Sequence, residues 1–226
     1  QSTHLIRVEP GDVDLGKSAD IEDIIREVVG GRMTLAQGSA DLERVHAEPP
    51  RYGPVTTMFA FGLSSSAASR FLGGGLREAL VAGVIGLVIG IFLMLAGRLP
   101  ALGRVFPFLT AFSASFIAAA AATVLPHYSV YVGTLAGLIV LIPGLTLTTA
   151  MTELSSGHLA SGTARLSGAL MLFLVIGFGV AIGSQTVILT LGDYASRVRP
   201  EALPDWTWWL ALLAAPLAAT LFWHGE

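Results

Sequence analysis

From Val105 to Thr152 the chain carries no Asp, Glu, Lys or Arg. A charge-free stretch of that length fits the interior of a membrane, where a backbone must satisfy its own polar groups and therefore runs as helices. The stretch is broken at Pro143-Gly144. Thr146, Thr148, Thr149 and Thr152 follow, and then Glu153. A broken helix with hydroxyls and a carboxylate at the edge of a membrane can hold a small polar solute, so transport is the leading expectation.

Composition points the same way. Only 13% of the 226 residues are charged and 53% are hydrophobic, against about 25% charged in soluble domains. The mean hydropathy is +0.70. The 26 glycines suit closely packed transmembrane helices. A net charge of −3 offers no basic stripe for nucleic acid. The absence of Cys removes disulfides, thiolate metal sites and Cys nucleophiles from consideration.

Residues 1–53 read as a cytosolic segment, the end of a larger N-terminal domain or a collar resting on the membrane part. No signal peptide is expected, because no basic region followed by an apolar run precedes it. Residues 4–8 suggest a short strand. Ile21, Ile24, Ile25, Val28 and Val29 recur as on an amphipathic helix. Ser18 or Asp20 is its expected cap, and Gly30-Gly31 its stop. Thr34 and Gln37 form a capping-box pattern for a second helix, which Pro49-Pro50 ends.

Beyond residue 53 six apolar segments follow. About 20 helical residues cross a hydrocarbon core. The candidates are Pro54–Leu72, Ala79–Gly97, Pro107–Leu125, Ser129–Thr149, Leu166–Gly192 and Trp206–Trp223. The last has tryptophans near both ends, as interfacial belts do. The expected fold is an all-α integral membrane protein with about five to six transmembrane helices. Residues 54–192 form a five-span domain, and 193–226 a loop and a further span. Arg7, Lys17, Arg26, Arg32, Arg44, Arg51, Arg98, Arg104 and Arg165 would lie on one side of the membrane. Arg70, Arg77, Arg197 and Arg199 would lie on the other. That asymmetry favours a cytoplasmic N-terminus.

Each candidate site residue carries a bland reading beside the functional one. Pro143-Gly144 is either an ordinary kink or a break that exposes backbone dipoles to substrate. The threonines either bind a solute or bond back to their own helix carbonyls. Glu153 is the only acid between Glu78 and Asp193. It is either an intramembrane carboxylate with a function or a hydrated residue at the rim. His158 could relay protons but reads more simply as a loop residue, as does His127. Two scattered histidines make no metal site, and no cofactor is expected. Ser64, Ser65, Ser66, Ser69 and Ser184 suit interhelical hydrogen bonds. The pairs Gly86–Gly90, Gly133–Gly137 and Gly179–Gly183 suit helix contacts. No nucleophile elbow, Asp pair or Walker loop is present, so an enzyme is not expected.

The segment from Ile142 to Leu166 resembles the threonine/serine exporter family of bacterial inner-membrane proteins. The matching residues are PGLTLT, Glu153, Ser156-Gly157 and Gly162-Thr-Ala-Arg165-Leu166. HLIRVEPGDVDLGKSADIEDIIREVVGGRMTLAQG and PPRYGP resemble the end of that family's cytosolic domain and its approach to the first span. The resemblance implies a cytosolic domain, five spans and a second set of about five, in the same chain or in a partner protein. This chain would then be an internal piece. It further implies secondary export of threonine and serine across the cytoplasmic membrane, driven by the proton motive force. The resemblance itself fixes no substrate contact; on the physical reading of the motif, Pro143, Gly144, Thr146, Thr148, Thr149 and Glu153 would bind substrate, and Glu153 and His158 would couple protons. The alternative is a non-transporting assembly subunit or scaffold half.

Overall fold

A computed structural model describes residues 15–47, 53–193, 200–201 and 203–223. Among them every regular element is a helix. The strand suggested at residues 4–8 lies outside the described residues. The chain divides into two compact units, residues 1–53 with 220–226, and residues 54–219.

The first unit contains α1 (Leu15–Val29) and α2 (Leu35–Ala47). Helix α1 starts at Leu15, so Ser18 and Asp20 lie inside its first turns and do not cap it. Gly31, with φ +71°, supplies the left-handed turn that ends it. The capping box forms as expected. The Gln37 N–H donates to Thr34 Oγ1 at 3.3 Å, and the Thr34 N–H donates to Gln37 Oε1 at 3.0 Å. Gly38 lets Val28 approach the α2 backbone. Two helices cannot cover much apolar surface, and Ile25, Val29 and Leu35 remain exposed.

The second unit contains α3 (Pro54–Phe71), α4 (Leu76–Ala96), α5 (Pro100–Val124), α6 (Val130–Gly137), α7 (Gly144–Ser155), α8 (Leu159–Leu191) and all but the last four residues of α9 (Thr207–Trp223). A single 3-10 turn, Ile139–Leu141, stands between α6 and α7. Three helices, α4, α5 and α8, are long and apolar enough to cross a membrane. A fourth span is available if α6 and α7 count as one helix bent by 47°. Helix α3 is diluted by its serines, and the apolar part of α9 is short, so neither reaches that standard.

Small residues set the packing. Lipid tails give no hydrophobic force between helices, so close backbone approach replaces it. Gly86 and Gly90 of α4 lie against Phe61 and Met58 of α3. Gly179 and Gly183 of α8 lie against the Phe108 and Phe112 carbonyls of α5. Gly137 of α6 accommodates Ile85 of α4. The serines bridge helices, with Ser66 Oγ donating to the Ala79 carbonyl at 2.8 Å and Ser115 Oγ to the Val180 carbonyl at 2.8 Å. Around them Ala82, Ile85, Ala111, Ala114, Ala118 and Ala136 are fully buried.

Candidate functional site

The break between α6 and α7 is wider than a single proline kink. Helix α6 stops at Gly137, six residues before Pro143, and α7 begins at Gly144. Helix ends leave carbonyls without intrahelical partners. Here Ser65 of α3, itself fully buried, donates its hydroxyl to the Gly137 carbonyl at 3.3 Å. On the far side of the break Pro143 precedes the first turn of α7, where its missing N–H costs no hydrogen bond.

Beside the break lies an open cavity of about 500 Å³ between α5, α6 and α8. Leu138 and Ile142, at the two ends of the break, form part of its wall. The wall carries no charged side chain, and its hydroxyls are Ser115, Thr134, Ser184 and Tyr131. Thr134 is 6% exposed, and its Oγ1 has no hydrogen-bond partner among the described residues.

Helix α7 carries the threonines and Glu153. Thr148 Oγ1 donates to the Gly144 and Leu145 carbonyls at 3.1 and 2.9 Å, and Thr152 Oγ1 to the Thr148 carbonyl at 2.9 Å. These two hydroxyls are spent on their own helix. Thr146 and Thr149 are half-buried and form no side-chain hydrogen bond among the described residues. The spacing of Thr146, Thr149 and Glu153 places all three on one helix face.

Glu153 joins that face to α8. Arg165 Nε donates to Glu153 Oε1 at 3.0 Å, while Glu153 Oε2 is enclosed and has no partner among the described residues. The turn between the helices is tight. Gly157 adopts φ +82°, and the His158 N–H donates to the Glu153 carbonyl at 2.9 Å. Gly162 lies so close to Leu154 that a Cβ would crowd it. The run from Pro143 to Arg165 is thus a helical hairpin in which Thr148, Thr152, Glu153, Gly157, Gly162 and Arg165 have structural tasks, while the Thr146 and Thr149 hydroxyls have none. His158 sits exposed at the start of α8.

A second polar centre had no signal in the sequence reading. Glu78, 1% exposed, stands in the first turn of α4. Its Oε2 accepts the Gly75 N–H at 2.9 Å, and its Oε1 accepts the Ser129 N–H at 2.7 Å. One carboxylate therefore caps its own helix and holds the residue that starts α6. Ser129 in turn caps α6, its Oγ accepting the Val132 N–H at 3.5 Å. Tyr128 is buried beside it, with its hydroxyl against Gly133. Burial, reinforced by the Glu78 charge, pushes the Tyr128 phenol above its ordinary range. The Gly75-Leu-Arg-Glu78 spacing is that of an N-cap and its third helical residue, and that pattern could have flagged the acid.

Comparison with known proteins agrees with this architecture. The family model described as "Putative threonine/serine exporter" matches residues 1–187. Pheromone-regulated membrane protein 10 of Debaryomyces hansenii is 28% identical over 186 residues, covering 80% of this chain and 18% of that protein. The protein of the same name from Pichia sorbitophila is 25% identical over 185 residues, with the same coverage. An uncharacterized protein of Schizosaccharomyces pombe is 26% identical over 178 residues, 76% of this chain and 21% of that protein. The chain thus spans about a fifth of the length of the curated relatives it matches. No solved structure matches it significantly. A family match over most of its length, on a fold of closely packed apolar helices, assigns the chain to the threonine/serine exporter family of membrane proteins.

Proposed function

We propose that this chain forms part of a secondary transporter that exports threonine, serine and similar small amino acids across the cytoplasmic membrane, driven by the proton motive force, with its N-terminus in the cytoplasm. The observation that carries the reading is the α7 face, where two unpartnered hydroxyls and a half-buried carboxylate follow a broken span. The substrate carboxylate binds at the start of α7, where the first-turn N–H groups lack intrahelical acceptors. Thr146 and Thr149 engage the side-chain hydroxyl. Glu153 attracts the ammonium and exchanges its Arg165 partner for it. Pro143 and Gly144 fix the break, and the cavity beside Ile142 gives the solute room next to it. Thr148 and Thr152 support the helix, and His158 serves the turn.

The test is efflux. Cells expressing the full-length gene are loaded with a threonine dipeptide, and the release of threonine is followed. Release faster than in empty-vector cells is expected. Equal rates would overturn the exporter reading. Unchanged efflux in Glu153→Gln would remove Glu153 from the mechanism and leave export standing.

A further inference from the structure

We propose that Glu78 is a proton-operated latch on α6, whose protonation frees the start of the broken span. The proposal rests on the exporter reading for its purpose and on the geometry around Glu78 for its mechanism. A buried carboxylate in a membrane protein is costly and is by default a functional candidate. Glu78 is 1% exposed, and no Lys, Arg or His lies within ion-pair distance of it among the described residues. What holds it is a pair of backbone amides, Gly75 N–H and Ser129 N–H, one on each oxygen.

That arrangement depends on charge state. An ionised carboxylate accepts through both oxygens. When a proton from the aqueous phase adds to one oxygen, that oxygen becomes a donor and faces an N–H that is also a donor. One of the two amides then loses its acceptor. Gly75 belongs to the same turn as Glu78, so it can re-form its bond locally. Ser129 lies on a separate loop and is the partner that releases. Its release uncouples the N-terminus of α6 from α4. When the proton leaves, the carboxylate takes the amide back.

The surroundings suit a latch. Arg77, the neighbour on α4, turns outward to the Pro126 carbonyl and to Glu201 at 3.6 Å, so it does not neutralise Glu78. On α3, Arg70 is engaged by Thr207 Oγ1 at 2.7 Å and by the Trp208 ring at 4.8 Å. From the α5–α6 loop, Tyr128 presents a buried neutral phenol, and His127 precedes it with φ +53°. Ser69 of α3 and Tyr128 each bury a hydroxyl without a partner among the described residues. With a cytoplasmic N-terminus and α3 crossing as the sequence reading has it, the α3–α4 and α5–α6 turns face outside. A proton arriving from outside would then open the outer end of the broken span, the step in which an exporter releases its cargo.

Two measurements on the full-length protein test this. In the first, reconstituted vesicles are assayed for threonine uptake driven by an acidic interior and for threonine–threonine exchange, which needs no net proton movement. Glu78→Gln is expected to reduce gradient-driven uptake to the level of protein-free vesicles while retaining exchange. Equal loss of both, or gradient-driven uptake like that of the unaltered protein, would overturn the proposal. In the second, a single cysteine replaces Val130, which is 9% exposed, and is compared with one at the exposed Tyr131. This chain has no native Cys, and any elsewhere in the protein is replaced. Labelling of position 130 relative to 131 is expected to rise as the pH falls, and to be high and flat with pH in the Glu78→Gln background. A ratio that does not change with pH when Glu78 is present would overturn the latch. If the unaltered protein moves no threonine in either mode, the exporter reading fails, and the labelling still decides whether Glu78 is a latch.

Discussion

Glu153 Oε1 and Arg165 Nε meet at 3.0 Å across the α7–α8 turn, a carboxylate that keeps 23% of its side chain exposed and a guanidinium that keeps 40%. The pair is half in water, so its worth lies near the upper end for surface ion pairs, about 1 kcal/mol. Glu153→Gln and Arg165→Ala should each lower the unfolding free energy in detergent by about that amount. The double variant should lose scarcely more than either single one. Losses that add would mean the two charges do not act together.

The four threonines of α7 should separate into two classes in an efflux assay. Thr148→Val and Thr152→Val remove hydroxyls already bonded to their own helix, so transport should change little. Thr146→Val and Thr149→Val remove free hydroxyls. Each should weaken apparent threonine affinity about fivefold, the effect of losing one hydrogen bond worth about 1 kcal/mol. Four equal effects would place the substrate elsewhere.

Glycines of α8 should respond by position. Gly183 lies under the Phe112 carbonyl, where a side chain has no room. Gly183→Val should destabilise by about 2 kcal/mol through overpacking. Gly168 has open space around it, so Gly168→Ala should stabilise by about 0.5–1 kcal/mol from helix propensity. Denaturant titration of the purified protein distinguishes the two.

In the N-terminal unit, Arg32 hydrogen-bonds both oxygens of Glu27, at 2.7 and 2.8 Å, and holds its carboxyl below the usual carboxylate range. A depressed native pKa means the contribution is fully present above the unfolded value of about 4.3 and is lost as the pH falls through the native one. The protection factors of the amides from 30 to 33 should therefore fall at pH values below about 4. Arg32→Ala should abolish that acid-specific step and return Glu27 to an ordinary titration by NMR.

Local rules were the most legible part of the chain. The Thr34–Gln37 capping box, the Gly30-Gly31 stop and the glycine pairs Gly86–Gly90 and Gly179–Gly183 all follow from local spacing and the structure has each of them, whereas Gly133 faces Tyr128 of the α5–α6 loop and not a helix. The break in the fourth span was legible in kind but not in extent. Proline marks only its far edge, whereas its near edge is set by Ser65 of another helix bonding the Gly137 carbonyl. Glu78 went unread because hydropathy counting starts the span at Ala79 and leaves the acid in a turn. Its burial arises from the distant 126–129 loop folding over it. The cavity needs three helices to exist, so no single segment could announce it.

Helix α9 meets the end of α3 through three side-chain contacts. Arg70 donates to Thr207 Oγ1 and lies over Trp208, and Phe71 packs on the same indole at 5.5 Å. The two helices are far apart in sequence, yet they share one anchorage. Any rotation of α3 during a transport cycle, such as one that pulls Ser65 away from Gly137, would therefore drag the root of α9 with it. Whatever α9 touches in turn would feel a motion of α3 as a lever feels its fulcrum.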